Sequence, residues 1–258
     1  GASPYVDWPA FDVVAQAMGG IMAITGPLGG PPTKVGPGVG DLIPGMMLAF
    51  GVLAAVHHAR RTGEGQFVDV SMVDSILAVC ERTVWQNSVE GLIPGPEGNH
   101  HPFLCPYGKF PATDGHITVA AHDDRFFAML CEALGAPEII DDERFKTRHE
   151  RSARRSELIP LLDAATSRFT KAELMDKLGG KLPFGPVFNV AEIMEDPHVA
   201  SREMIVDVEA PGSPPTKVAG VPIKMTRTPG GVHRRAPLLG EHTFEELEAV
   251  GISRDDIL

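Results

Sequence analysis

The chain has 258 residues, 43% of them hydrophobic, which predicts a globular protein of one large domain or two modest ones. Asp and Glu number 34 against 23 Lys and Arg, a net charge of −11, so the surface on average repels phosphate backbones and anionic lipid, and nucleic acid and membrane are not expected partners. Three cysteines, Cys80, Cys105 and Cys131, lack CxxC spacing and predict free thiols in a reducing compartment, the cytoplasm, in place of a disulfide framework or a zinc knuckle.

In chain order, "DVVAQAMGGIMAI" (12–24) carries apolar residues at helical spacing around a Gly19-Gly20 pair, where a backbone or ligand can come close. "TGPLGGPPTKVGPGVG" (25–40) is too rich in Gly and Pro for regular structure, and it delivers the chain to Asp41. Asp41 is expected at the N-cap of a helix that ends in the basic "HHARRTG" with Gly63 as its stop. The apolar run Leu42 to Val56 is broken by Pro44, Gly45 and Gly51 and falls short of the roughly 18 residues that a spanning helix needs, so it reads as a buried core helix. "FVDVSM" (67–72) alternates like a strand, and Ser71 to Asp74 matches a capping box for a helix reaching about Arg82. Helix, strand, helix is the grammar of an α/β layer fold.

"EGLIPGPEGNHHP" (90–102) reads as a linker at a domain boundary. "YGKFPATDGHITVAA" (107–121) predicts two strands joined by a turn at Thr113, Asp114 and Gly115. Two or three polar helices follow, and the mixed charges of "RHERSARR" (148–155) predict a solvated helix face. From residue 185 the chain returns to strand-like pieces, "EMIVDVEA" and "KVAGVPIKM", ahead of an acidic tail.

Five ordered blocks, "FDVVAQAMGGIMAITG", "GVGDLIPGMMLAFGVLAAVHHARRTGEGQFVDVSMVDSIL", "HPFLCPYGKFPATDGHITVAA", "PFGPVFNVAEIMEDPHVASREMIV" and "RAPLLGEHT", together resemble the family III CoA-transferases. That family includes formyl-CoA transferase and the carnitine CoA-transferase. The resemblance implies an α/β fold: a split Rossmann-like large domain, here 1–92 and 185–258, an inserted smaller α+β domain at 98–184, and an interlocked homodimer. It also implies a missing N-terminal portion of about 100 residues or more, which would hold most of the CoA nucleotide contacts. The absence of an opening Met or a signal peptide fits a piece of something longer.

The resemblance further implies CoA transfer from an acyl-CoA donor to a small carboxylic acid, with no metal and no permanently bound cofactor. The acid of the "GD" ahead of the apolar helix, Asp41, takes the place of the family nucleophile. Physically, a carboxylate at a helix N-terminus meets unsatisfied N–H groups and a positive dipole end, and glycines such as Gly40 let a thioester approach the backbone. The alternative role for Asp41 is a helix cap alone.

Asp12 falls where the family places an acid near the reacting centre, or else it is an acid that merely suits a helix start. Gln16, one turn on, either hydrogen-bonds substrate or faces its neighbours. "EGNHHP" matches a loop that closes over the intermediate, with Gly98 and Asn99 in a mobile lid and His100 or His101 either adding polar contacts or lying on a surface linker. The adjacent pairs His57/His58 and His100/His101 point apart on a helix or strand, so no metal site is expected. "RHERSARR" touching a CoA phosphate is the lesser alternative to its solvated reading. Two further functions are weighed: an α-methylacyl-CoA racemase, which needs a His where this chain has Phe11, and an inactive fragment with an incomplete sheet.

Overall fold

The computed structural model describes residues 3–209, 212, 214 and 216–257. By internal contacts the chain divides into residues 1–187 and 188–258.

In the first unit, α1 (Asp12–Met18) and the single turn α2 (Ile21–Ile24) are separated at Gly19 and Gly20. Gly20 has φ +94°, and a Cβ on Gly19 would overlap Ile76 at 2.5 Å, so the pair provides both the turn and the close approach that its composition predicts. The long α3 (Val39–Thr62) ends at Gly63 with φ +80°, with Arg60 and Arg61 in its last turn, which is the expected stop. Next come α4 (Met72–Val79) and α5 (Glu81–Glu90).

Four expectations fail in this region. The N-cap of α3 is Gly38 and Asp41 is its third residue, because the helix already begins within the glycine run. Residues 67–71 form no ladder; an alternating pattern becomes a strand only where another strand accepts its hydrogen bonds, and none among the described residues does. The helix capped by Ser71, whose hydroxyl accepts from Asp74 N, breaks at Cys80 (φ −97°, ψ 19°) before resuming as α5. Most consequentially, α3 is not buried. Leu42, Met46, Phe50 and Leu53 are 58, 57, 74 and 66% exposed, because α1 and α4 are the elements that pack on it and they cover one stripe of a helix apolar all round. At about 36 Å, α3 is long and apolar enough to cross a membrane by length and composition alone. The buried centre here is small: Ala15, Ile76 and Cys80.

Residues 105–182 form a second, much larger core. Strands β1 (Tyr107–Ala112) and β2 (Gly115–Ala120) make the expected hairpin, and β3 (Phe184–Pro186) pairs antiparallel with β2. Lys171 N donates to Asp114 Oδ1 at 2.8 Å, tying the turn down. Helices α6 (Asp124–Ala133), α7 (Arg148–Ala153), α8 (Arg155–Thr166) and α9 (Lys171–Leu178) follow. One face of the sheet, with Phe110, Ile117 and Val119, is sealed by Phe127, Leu158 and Leu174. Thr147 and Thr170 start α7 and α9 with reciprocal capping boxes, each satisfying two otherwise orphaned donors.

The charged segment 148–155 is not simply a solvated face. Arg151 is 1% exposed; its guanidinium donates to Phe145 O, His122 O and Asp124 Oδ1 at 2.6 Å and lies 4.4 Å from the Phe127 ring centroid. Arg155 donates to His101 O and Pro102 O. Buried guanidinium needs such acceptors, and here they are the carbonyls of Phe145 and His122 and the carboxylate of Asp124.

In the second unit, α10 (Val190–Met194) and α11 (Pro197–Ser201) precede β4 (Ile205–Val208) and β5 (Thr216–Ala219), an antiparallel pair from the two predicted strand-like pieces. The expected first piece runs to Ala210, which lies outside the described residues. Short helices α12 (Thr243–Ala249) and α13 (Arg254–Ile257) follow.

Candidate active site

Asp12 and Gln16 lie one turn apart on α1, and both reach into the loop that leads to Asp41. Gln16 is fully buried. Its amide nitrogen donates to Asp12 Oδ1 and Oδ2 at 2.8 and 3.0 Å, and its amide oxygen accepts from Val35 N at 2.9 Å. Asp12 Oδ1 also accepts from Gly40 N at 2.8 Å. A Cβ on Gly40 would sit 2.5 Å from Asp12 O and 3.1 Å from Ala15 Cβ, so only glycine permits this approach between α1 and the first turn of α3.

The amide of Gln16, then the N–H of Gly40 and the charge of Lys34, hold the Asp12 carboxyl below its ordinary range against the opposing effect of burial. Lys34 Nζ donates to Val35 O and Gly36 O at 2.8 and 2.9 Å, bracing the same loop from outside.

Asp41 differs in every respect. It is exposed, and its side chain makes no hydrogen bond or ion pair among the described residues. It stands next to Asp12 all the same: a Cβ on Gly38 would lie 3.7 Å from both Asp12 Cγ and Asp41 Oδ2. The first-turn amides are already engaged, Val39 N with Pro37 O, Gly40 N with Asp12, and Asp41 N and Leu42 N with Gly38 O. The N–H groups of Val39 to Leu42 therefore offer the Asp41 side chain no unsatisfied donor.

Gly98 and Asn99 belong to a second cluster. Gly98 has φ +73° and its N–H donates to Gly26 O at 3.1 Å, while Gly29 N donates to Pro96 O at 3.1 Å. These bonds fasten the linker to the glycine-rich run that ends at Asp41, although none joins Gly98 or Asn99 to Asp41 itself. Both residues line a cleft of about 810 Å³ with His100, His101, Lys109 and Phe184. Among the described residues no group of His, Cys, Asp and Glu is arranged to hold a metal.

Sequence reasoning overlooked the residues that fix these loops. Arg82 donates to Glu97 Oε2 at 2.9 Å and to Gln86 Oε1 at 3.0 Å, pinning the linker to α5. No local pattern marks the Arg82–Glu97 pair, 15 residues apart, or Lys34, whose acceptors are main-chain; only Arg82 and Gln86 stand at i and i+4. The spacing of Asp12 and Gln16 at i and i+4 does signal that the two meet on a helix.

An exposed, unpaired carboxylate beside a second, fully engaged one, in a mixed α/β chain, defines a candidate for covalent carboxylate chemistry. Residues 1–243 match the model of CoA-transferase family III, and the chain belongs to that family. It is 48% identical over 248 residues to a protein named succinyl-CoA:mesaconate CoA-transferase from Haloarcula hispanica, covering 95% of this chain and 61% of that one. It is 35% identical over 259 residues to succinyl-CoA–D-citramalate CoA-transferase from Chloroflexus aurantiacus, covering 98% and 64%. The crystal structure of a CAIB/BAIF family protein from Brucella suis superposes with TM-score 0.83 at 29% identity over 96% of this chain and 65% of that one. The chain thus spans a little under two thirds of each of these three proteins.

Proposed function

We propose that this chain supplies the nucleophile and part of the substrate surface of an enzyme that moves coenzyme A from an acyl-CoA donor to a small carboxylic acid. The observation that carries the reading is the contrast at Gly38: Asp12 is bound on both oxygens, whereas Asp41, beside it, is exposed and uncommitted. The names of the relatives, which pair succinyl-CoA with mesaconate or D-citramalate, support small dicarboxylates as the acids.

In the proposed sequence Asp41 attacks the thioester carbonyl of the donor; the C–S bond breaks and CoA leaves as thiolate, giving a mixed anhydride. The thiolate attacks the Asp41 carbonyl, expels the donor acid as carboxylate and leaves an aspartyl-CoA thioester. The acceptor carboxylate then displaces the thiolate to form a second anhydride, and the thiolate attacks its acyl carbon, releasing product and free Asp41. No electrons change hands, so no redox cofactor is required, and two easier exchanges replace a hard one. Gly38, whose N–H donates to nothing among the described residues, supplies a donor near the developing oxyanion. Asp12 and Gln16 act as positioning residues for the Gly36–Asp41 loop, while Gly98 and Asn99 bound the acid.

The domain division at 1–92, 98–184 and 185–258 and a cytoplasmic homodimer belong to the same reading. The separate cores at Ala15, Ile76 and Cys80 and at 105–182 support the first boundary, and three buried free thiols suit a reducing compartment. The racemase reading lacks its base, since Phe11, 79% exposed, occupies the position and a phenyl ring accepts no proton. The kinetic test uses the full gene product containing this chain. Asp41→Asn should lower kcat by at least about 10³-fold, and a variant within tenfold of wild type contradicts the proposal.

A further inference from the structure

The sheet β1–β2–β3 has a second face, opposite the sealed core, and that face is the floor of the 810 Å³ cleft. Strand alternation puts Tyr107 and Lys109 of β1 on it, with Thr118 and Ala120 of β2. The register places Lys109 opposite Thr118 and Thr118 opposite Gly185, a single row across three strands. Ala120 and Gly185 are unusually small for an open face, and a Cβ on Gly185 would meet only Thr118 Oγ1 at 3.7 Å, so this row leaves room above the sheet.

Into that room face two uncommitted donors. Lys109 is half-buried, and its ammonium has no hydrogen-bond or ion-pair partner among the described residues; it and His100 act on the half-buried carboxyl of Asp163 only through space. A half-buried, unpaired lysine is conspicuous in a chain of net charge −11. His101 lines the same cleft. Its Nδ1 accepts from Phe103 N and Leu104 N, both at 3.1 Å, which assigns the proton to Nε2 and leaves Nε2–H to donate. Its ring rests 5.1 Å from that of Tyr107, while Val187, which also lines the cleft, adds apolar wall. Cation, N–H donor and short apolar wall form a site for an organic carboxylate.

We propose that this cleft binds the non-reacting carboxylate of a dicarboxylic substrate acid, with Lys109 as its counter-ion and His101 Nε2–H as a second donor. The identity of the acid rests on the CoA-transfer reading. The loop that walls the cleft is fastened by hydrogen bonds at Gly26 and Gly29 to the glycine-rich run that continues to Asp41.

Calorimetric binding of succinate and of butyrate, equal in carbon count and differing by one carboxylate, tests this in the full gene product with CoA present. The wild type should prefer succinate by on the order of tenfold or more. Lys109→Met and Lys109→Gln, checked for native circular dichroism, should erase the preference and leave butyrate binding unchanged, and Lys109→Arg should keep part of it. A preference that survives both neutral variants, an equal loss for both acids, or no preference in the wild type overturns the proposal. Because binding is read without turnover, the two ideas fail separately. A succinate site lost with Lys109 stands even if Asp41→Asn still transfers CoA, and an inactive Asp41→Asn stands even if Lys109 proves irrelevant.

Discussion

Between residues 105 and 182 most large apolar side chains are covered, with Phe110, Phe145, Leu158 and Leu162 at 1% exposure or less and none above 42%; between residues 5 and 93 Trp8, Phe11, Phe50, Leu53 and Ile93 are all more than 60% exposed. The first region is a finished core of sheet and helices. The second is a helical platform that presents an exposed carboxylate, Asp41, at the start of an apolar helix. The contrast separates a region closed by a hydrophobic core from one ordered more by a few polar ties, Asp12 to Gly40 and Gln16 to Val35.

The sharpest way to break that comparison is to shorten one leucine in each region. Leu162→Ala should cost about 2–5 kcal/mol by denaturant unfolding, whereas Leu53→Ala should stay within about 0.5 kcal/mol. A loss at Leu53 as large as that at Leu162 would show that the α3 face is covered in the intact protein and would end the contrast.

The polar ties come next. Gly40→Ala forces a methyl onto Asp12 O and Ala15 Cβ and should cost about 1–3 kcal/mol, with greater protease sensitivity between residues 25 and 38. Unchanged stability and cleavage would mean that the clamp does not order the loop.

Thiol labelling read by mass spectrometry compares the regions without mutation. Burial pushes Cys105 up to about 11 and Cys131 up to about 12, and both belong to the large core, so at pH 8 they should react only on global unfolding. Cys80 is also raised, by burial and then by Glu81, but it lies in the small core and should label at least about tenfold faster through local opening. Equal rates would show that the two regions open together.

The smallest effect is the acid response of Asp12. Its folded-state carboxyl titrates below the ordinary 3.8, so the unfolded chain binds more protons than the folded one in this range. The stability this gives is fully present above the unfolded value and is lost as pH falls from about 4 through the lower folded value. Asp12→Asn should flatten that part of the stability–pH curve, and a parallel curve would remove Asp12 from the clamp.

Legibility in the sequence follows the range of the interaction. The turn at Thr113 and Asp114 and the stop at Gly63 were readable because their causes lie within a few residues. The burial of α3 was misjudged because composition reports that a helix is apolar, never what lies against it. The strand expected at 67–72 failed for want of a partner. Asp41 stood out from its glycines and the family blocks and Asp12 from its family block, but the pairing of Gln16 with Asp12 was not foreseen, and the amide that Asp12 holds is 28 residues away and leaves no local trace. Arg151 was hidden in a charge run, its acceptors being the carbonyls of Phe145 and His122 and the carboxylate of Asp124.

The central claim, that the uncommitted carboxylate is the nucleophile, is tested most directly by trapping it. The full gene product, incubated with acyl-CoA and then with hydroxylamine or borohydride, is digested and its peptides are weighed. An anhydride or aspartyl thioester is an activated acyl group that both reagents intercept, so the account predicts modification confined to the peptide containing Asp41. An unmodified Asp41 peptide under demonstrated turnover, with the adduct on another carboxylate such as Asp12, would contradict it.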